Sequence, residues 1–357
     1  MVAGGTGGHI FPALAVAAEL VARSKGGRSA WENCEIEFLG TTRGLESKLV
    51  PAAGFPLRTI AAAGLIGISG WKKWRNLLVL PRSAVQASRV LREFEPDVVF
   101  GVGGYIAGPA VLQAALQDIP TLLFEPNAVP GFTNRVLAPV VLDAAVGFPQ
   151  TARYYGTKAH ITGHPVRKAF AGINPRKHAS PYTILVLGGS QGSMAINEGV
   201  IKSLPLLAPG PARLAFLHQT GEREYNTVRE AYRRWEISAE VCAFIDDMPS
   251  AFSRADLVIS RAGAMTVAEL GAAGKAALLI PFPAAAQHQL ENARAMERAG
   301  AARVIDQAEL TPERLVLEIT DLLSDPSRLV RMEQTAKKFA HPEAARHIAE
   351  LIEGLAR

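Results

Sequence analysis

Short apolar runs rich in β-branched residues alternate with helix-like patterns from one end of the chain to the other. EIEFLG, DVVFGVG, TLLFE, ILVLGG, LAFLHQ, VCAFID, DLVIS and AALLIPF recur with helical spacing between them, as near Glu46 and over residues 108–116 and 195–207. Strands separated by helices are joined by crossovers and lie parallel, so this rhythm predicts βαβ units. The runs lack strict polar/apolar alternation, as expected when helices cover both faces of a sheet. The expected fold class is α/β, with doubly wound parallel sheets.

At 357 residues the chain can form about two such domains of roughly 150 residues, each burying its own core. Between the strand-like AHITG and YTILVLGG lies HPVRKAFAGINPRKHASP, whose prolines and scattered charge read as a linker. The expected domains are 1–163, a linker over 164–181, a second domain over 182–340, and a C-terminal helix over 341–357 that is a candidate to return to the first domain. Two such domains would face each other, with ligand crevices at the carboxyl ends of their strands.

Composition removes several classes. Hydrophobic residues at 48% and charged residues at 20% exclude disorder. Cys34 and Cys242 are the two cysteines, with no CxxC, so neither a disulfide framework nor a zinc site is supported and a reducing compartment fits. The start, MVAGGTGGHIFP, lacks the basic and apolar regions of a secretory signal, and a cytosolic protein is expected. Residues 98–117 carry no charge, but Gly101, Gly103, Gly104, Gly108, Pro109 and Gln113 break them into a buried strand, a loop and a helix start.

The net charge of +5 arises in the first half of the chain. Over residues 47–92, Lys48, Arg58, Lys72, Lys73, Arg75, Arg82, Arg89 and Arg92 meet no acidic residue, which marks an interaction face. Within it, GLIGISGWKKWRNLLVL sets Leu65, Ile66, Trp71, Trp74, Leu77 and Leu78 among Lys72, Lys73 and Arg75. Apolar and indole groups can enter a lipid interface while cations meet anionic headgroups, so Trp71, Lys72, Lys73 and Trp74 are candidate membrane residues. Leu78 and Leu80 are expected to pack on the sheet instead. Basic residues interleaved with aliphatics, without a recognised module, argue against nucleic acid as a partner.

Three glycine loops stand at strand-to-helix junctions: GGTGGH from Gly4, GVGGY from Gly101 and GGSQG from Gly188. Each would offer backbone N–H groups and a positive helix terminus to a phosphate, although glycine also serves tight turns and close packing. The first loop ends in His9, with Pro12 placed for a first helical turn. At the positive end of a helix His9 would stay neutral and able to accept a proton; it is either a general base or a loop-capping residue. After DLVIS, Gly263 gives a turn into a helix starting about Ala264. The amides of Ala264, Met265 and Thr266 would meet a phosphate, and Glu269 either reaches ribose hydroxyls or lies on a solvated helix face. Gln287, His288, Gln289 and Asn292 cluster at another helix start, where amides can read sugar hydroxyls.

In order along the chain, AGGTGGHIFPALAVA, GVGGYIAGPAVLQA, EPNAVPGFTNR, GHPVR, LGGSQG, FIDDM, SRAGAMTVAEL and HQLENA resemble the MurG family. Its members are glycosyltransferases that add N-acetylglucosamine to lipid I, the lipid-linked muramyl-pentapeptide precursor of bacterial peptidoglycan. The resemblance implies a GT-B fold, with UDP-N-acetylglucosamine held mainly by the second domain and lipid I by the first. By motif, Ala264, Met265, Thr266, Val267, Ala268 and Glu269 would hold the diphosphate and ribose, Ser190 a phosphate, Ile245 the uracil, and Gln289 with His288 the donor sugar. Arg167 would neutralise diphosphate charge, Asn127 with Thr6, Gly7 and Gly8 would complete the sugar and acceptor side, and Gly103, Gly104 and Tyr105 would line the acceptor side.

The implied reaction is a single displacement with inversion. No Asp-x-Asp pattern occurs, so no metal and no cofactor is expected, helix termini taking a cation's role. Peripheral association with an anionic membrane surface, at the cytoplasmic face of the cell membrane, is implied as well, with other cell-wall synthesis proteins a further class of partner.

Three departures from the family pattern stand out. The chain begins three residues before its first loop, so most of a central strand is expected to be missing. Pro126 stands where Gln is usual, and His164 where Asn is usual. Three other readings remain: a UDP-sugar epimerase of the same fold, which would share the nucleotide site but not GGTGGH and GVGGY; a membrane-bound scaffold left inactive by the short first strand; and a nicotinamide-dependent oxidoreductase. GxGxxG with an acidic residue about 20 positions on is not present in the form the last requires.

Overall fold

The computed structural model describes the chain except residues 6, 28–33, 43, 62–78, 190, 211–212, 284–286 and 357. The chain forms two compact units, Met1–Arg167 with His341–Arg357, and Lys168–Ala340. The candidate membrane residues Trp71, Lys72, Lys73 and Trp74, their neighbours Leu65, Ile66, Arg75, Leu77 and Leu78, and the candidate ligand residues Thr6 and Ser190 lie outside the described residues, as does the Leu80 side chain.

The first unit runs α1 (Gly7–Lys25), β1 (Phe38–Gly40), α2 (Glu46–Ala52), β2 (Leu57–Thr59), α3 (Val79–Phe94), β3 (Val99–Gly101), α4 (Ala107–Leu116), β4 (Thr121–Glu125), α5 (Phe132–Leu137), β5 (Asp143–Val146) and β6 (Ala159–Ile161). β1 pairs with β2, and β3 to β6 pair in chain order, all in parallel.

The expected loss of a central strand does not occur. Val2 pairs in parallel with both Leu39 and Gly101. Its N–H donates to the Phe100 carbonyl at 2.7 Å, its carbonyl accepts from Val102 at 3.0 Å, and the Met1 carbonyl accepts from Leu39 at 2.8 Å. A strand position needs only enough residues to close these main-chain bonds, and residues 1–3 supply them.

One face of this sheet buries Ile106 and, from α4, Ala107, Ala110, Val111 and Ala114 with Ala87 and Leu91 of α3. The other buries Ile10, Ala13, Val16, Ala17 and Leu20 of α1. The basic stretch is less positive in space than in sequence. Arg58 Nε lies 2.7 Å from Glu37, its Nη1 pairs with Glu93, and Arg89 pairs with Glu93 at 2.7 Å. Glu93 directly follows the acid-free run, and Glu37 lies ten positions before it.

The second unit opens with a short helix, α6 (Lys168–Ala171), then runs β7 (Tyr182–Leu187), α7 (Met194–Leu207), β8 (Leu214–Gln219), α8 (Tyr225–Arg234), β9 (Ser238–Cys242), α9 (Met248–Arg254), β10 (Leu257–Ser260), α10 (Ala264–Ala273), β11 (Ala277–Leu279), α11 (His288–Ala299), β12 (Ala302–Val304), α12 (Pro312–Ser324) and α13 (Pro326–Ala336). Its six parallel strands lie in the order β12-β11-β10-β7-β8-β9. That order reverses direction between β7 and β10, the position at which doubly wound sheets open a crevice. The core joins Ile184, Val186, Ile259 and Leu278 of the strands to Ile196, Val200 and Leu204 of α7 and to Leu315, Ile319 and Leu322 of α12.

The last helix, α14 (Ala344–Leu355), belongs to the first unit. Ile348, Ala349 and Ile352 are buried in the α1 core, and Arg23 grips Glu353 at 3.0 and 2.9 Å. Packing a buried apolar stripe together with this two-point charged bond fixes the helix in place.

Parts of the segment expected as a linker are built into the second unit. Phe170 is fully buried, edge-on to Phe252 with ring centroids 5.2 Å apart. Farther on, His178 spans two carboxylates: Nδ1 to Asp256 at 2.9 Å and Nε2 to Glu333 at 3.1 Å. Asp256 also accepts from the Thr183 N–H at 2.7 Å and from Arg176 at 3.1 Å. Lys275 Nζ donates to the Ala255 carbonyl at 2.8 Å and stands 4.0 Å from Glu333.

Hydrogen bonds to Asp256 and Glu333 hold the His178 pKa up to about 9, so the ring is charged at neutral pH. Because the folded value is raised, this stabilisation is complete below the ordinary value of 6.5 and is lost as pH rises through about 9. The unfolding midpoint should therefore fall on raising pH through that window. His178→Ala should remove the dependence and cost about 1.5–3 kcal/mol, the scale of hydrogen bonds to charged groups, because Arg176 still pairs with Asp256 and Lys275 still stands near Glu333. Denaturant unfolding of both proteins across the window checks this, and an equal alkaline decline in the variant would contradict it.

Candidate active site

In the first unit, parallel strands deliver several loops to one edge. Gly103 and Gly104 after β3 have φ of +94° and +79°, backbone that only glycine takes without strain. They bring the second loop against the first. A Cβ at either would lie 3.5 Å from the His9 ring, and one at Gly104 would lie 2.9 Å from the Gly4 carbonyl oxygen. That same carbonyl accepts a hydrogen bond from His9. Tyr105 lies against Gly5, its ring 3.4 Å from where a Cβ would stand.

The structure thus groups His9 with Gly103, Gly104 and Tyr105. Gly7 and Gly8 are not loop residues but the first turn of α1, and Pro12 falls in its second turn rather than its first. Pro12 has no N–H to offer the Gly8 carbonyl, which is the usual cost of a proline at such a place.

Burial pushes the His9 pKa below its ordinary value, while the Gly4 hydrogen bond and the charge of Glu46 pull it back up. Desolvation leads this balance. The ring is neutral at pH 7, and with one nitrogen donating to Gly4 the other carries its lone pair.

Two buried carboxylates, both missed by sequence reasoning, shape these loops. Glu46 accepts from the Gly5 N–H at 3.0 Å and from Thr41 through its N–H at 2.9 Å and its hydroxyl at 2.6 Å. Glu125, at the end of β4, accepts from the N–H and side chain of Asn127, both at 2.9 Å, and from Gly131 and Asn134, both at 3.0 Å. Burial nonetheless raises the Glu125 pKa. Asn134 Nδ2 also donates to the Phe124 carbonyl at 3.1 Å, its Oδ1 is buried without a hydrogen-bond donor, and the amide packs against Gly103. A carboxylate closing an otherwise apolar run, as in TLLFE, was the available signal.

The two substituted positions touch. His164 Nε2 donates to the Pro126 carbonyl at 2.6 Å, and burial lowers the His164 pKa to about 4, so the ring is neutral. Arg167 is exposed at the end of the unit, with its guanidinium 5.2 Å above the Phe11 ring.

In the second unit, α10 begins at Ala264 after Gly263, which has extended backbone and gives no side-chain cap. The first amides, those of Ala264, Met265 and Thr266, therefore point outward as an anion site, as expected of a helix start. Val267 and Ala268 turn their side chains into the core, so they face a ligand only through the helix they extend. Glu269 lies a turn farther along α10 and is half-buried.

Arg261 precedes this turn. It donates to the Ile280 and Pro281 carbonyls at 3.0 and 3.2 Å and to Gln307 at 2.7 Å. Burial lowers its pKa to about 10, so it stays cationic at neutral pH. Asn292 of α11 donates to the Ala262 carbonyl at 3.2 Å, and Gln289 accepts from the Phe282 N–H at 3.0 Å, with His288 opening the helix. Ile245 follows β9 and donates through its N–H to Gln219 at 2.9 Å. Among the described residues no group of His, Cys, Asp and Glu could hold a metal ion.

Two parallel α/β units of Rossmann type, the second with an uncapped helix start at its strand-order reversal, are the architecture of the GT-B fold, and the family match makes the chain a glycosyltransferase. Residues 1–146 match the N-terminal domain of glycosyltransferase family 28 and residues 183–348 its C-terminal domain. The chain belongs to this family. It is 46% identical, over 99% of its length and 92% of the relative's, to the UDP-N-acetylglucosamine–N-acetylmuramyl-(pentapeptide) pyrophosphoryl-undecaprenol N-acetylglucosamine transferase of Anaeromyxobacter sp. strain Fw109-5. The crystal structure of Acinetobacter baumannii MurG is similar with a TM-score of 0.79 and 34% identity, covering 99% of this chain and 98% of that one. UDP-GlcNAc 2-epimerase from Neisseria meningitidis, at 14% identity, covers 97% of both chains with a TM-score of 0.64 and shares the fold alone.

Gly104→Ala tests the contact between the two loops of the first unit. The left-handed backbone and the Gly4 carbonyl both oppose a Cβ there, so stability should drop by about 1–3 kcal/mol and the His9 ring resonances should move. An unchanged unfolding midpoint together with unmoved His9 signals would show the contact to be slack.

Proposed function

We propose that this chain transfers N-acetylglucosamine from UDP-N-acetylglucosamine to lipid I, forming lipid II for peptidoglycan. The observation that carries the reading is the near-full-length relationship to a transferase whose name states that reaction. The epimerase reading has only a shared fold behind it. The loops GGTGGH and GVGGY, which an epimerase would not need, lie together around His9 in the first unit.

In the proposed mechanism a muramyl hydroxyl attacks the anomeric carbon in one displacement with inversion. The new carbon–oxygen bond forms as the bond to the diphosphate breaks, and UDP leaves with the electron pair. His9, neutral at the start, takes the hydroxyl proton. The charge of Glu46 favours the imidazolium that results, since it already acts to raise the His9 pKa. The amides of Ala264, Met265 and Thr266 meet the charge developing on the leaving diphosphate, and Arg167 adds a cation; such fixed dipoles need little reorganisation as the charge grows. Ile245 contacts the uracil, Glu269 the ribose, His288 and Gln289 the donor sugar, and Asn127 with Tyr105 the acceptor side.

Peripheral membrane binding belongs to the same proposal. Among the described residues no helix is long and apolar enough to cross a membrane. The first unit exposes Val85 on α3 and Leu112 and Leu116 on α4, and Val85 lines a groove with Arg92 and with the paired Arg89 and Glu93. Apolar side chains among cations suit an anionic lipid interface, where each basic residue near the surface contributes about 1 kcal/mol. The Trp71–Trp74 stretch would extend that surface.

Transfer of labelled sugar from UDP-N-acetylglucosamine to a lipid I analogue tests the activity. His9→Ala should slow turnover by about 10²- to 10⁴-fold, with UDP affinity nearly intact because the nucleotide residues belong to the other unit. Near-normal turnover in that variant would remove His9 from the chemistry.

Replacing Trp71, Lys72, Lys73 and Trp74 together should release the protein from anionic vesicles. Added salt should weaken the unaltered protein as well. Equal co-sedimentation of both forms at low salt would exclude this surface.

A further inference from the structure

Gln219 ends β8, in register between Leu187 at the end of β7 and Cys242 at the end of β9. Its flanking strands lead into the loop that begins at Gly188 and the loop that contains Ile245. The side chain bridges these two loops. Nε2 donates to the Gly189 carbonyl at 2.8 Å, and Oε1 accepts from the Ile245 N–H at 2.9 Å. The residue is 2% exposed, so neither bond is exchanged cheaply for water.

The surrounding backbone is set with similar closeness. A Cβ at Gly192 would overlap the Thr220 carbonyl, and one at Gly221 would overlap the Gln191 carbonyl. Asn197 donates to the Thr220 carbonyl at 2.9 Å and is itself held by the buried ring of His218 at 3.0 Å.

We infer that Gln219 is a positioning residue for the donor. It sets the spacing between the loop that receives the phosphates and the loop that receives the base, without touching either ligand group. One side chain must donate to one loop and accept from the other, at fixed separation. A primary carboxamide does both; a carboxylate can only accept; asparagine is one methylene too short. The inference rests on the reading that these two loops hold the nucleotide of UDP-N-acetylglucosamine.

Calorimetric binding of UDP-N-acetylglucosamine tests it with three proteins. The unaltered chain should bind, and absence of binding would overturn the functional reading and this inference with it. Gln219→Met keeps the length and loses both bonds; its donor Kd and KM should rise on the order of tenfold with kcat little changed, the scale of one or two lost hydrogen bonds. Unchanged donor affinity in a folded Gln219→Met would overturn only the inference.

Gln219→Glu adds a readout that packing alone would not give. Its protonated carboxyl can donate to Gly189 and accept from Ile245, whereas its ionised form repels the Gly189 carbonyl. Burial raises the pKa of such a carboxyl, so donor affinity relative to the unaltered protein should recover at about pH 5.5 and fall by about pH 8. The donor's diphosphate does not titrate in that interval. A ratio independent of pH, with only the unfolding midpoint lowered, would assign Gln219 to packing.

Discussion

Every strand pair described is parallel, and that constraint sends all strand carboxyl ends of a unit to the same edge. Loops far apart in sequence then become neighbours. In the first unit, residues 1–3, β1, β3 and β4 deliver His9, Glu46, Gly104 and Glu125 to that edge. In the second, the reversal of strand order between β7 and β10 separates the loop after Leu187 from the turn at Gly263 and leaves a crevice where an anion can meet helix amides. The site is a consequence of topology before it is a consequence of any single residue.

Glycine then determines how closely those loops approach. At Gly104 the chain passes so near the Gly4 carbonyl that no side chain fits, and that carbonyl orients His9. The contact at Gly192 and Gly221 is likewise backbone against backbone. Such contacts leave few soft rotamers to relax, so each unit holds its own loops in place, the condition under which fixed dipoles are most effective.

The α/β rhythm and the helix start at Ala264 were legible because each depends on local pattern: apolar periodicity, a turn glycine, a helix after a strand; that GGTGGH and GVGGY share the acceptor side came from the family resemblance. What was not legible depends on pairings across the fold. Glu46 lies on an ordinary short helix, and nothing in TTRGLESK announces that its carboxylate will receive the Gly5 amide. The basic stretch looked unpaired because its partners Glu37 and Glu93 lie outside it in sequence. The missing strand was misjudged because strand length was read from the sequence, whereas the sheet needs only the few main-chain bonds that Met1 and Val2 make. Gln219 was read as the end of an apolar run, and its two partners are set by β7 and β9.

Charge separates the loops of the two units more sharply than fold does. The loops of the first unit are held by buried carboxylates, Glu46 and Glu125. Those of the second are held by neutral amides, Gln219, Asn197, Asn292 and Gln289, and by the cationic Arg261. A buried carboxylate beside a diphosphate would repel it across a medium of low effective dielectric, whereas a carboxamide supplies the same hydrogen bonds without the field. Beside a histidine that must accept a proton the preference reverses, because a fixed negative charge favours the imidazolium. On the proposed reading, Glu near His9 and Gln beside the loops at Gly189 and Ile245 each match the sign of the charge that their own loops would stabilise.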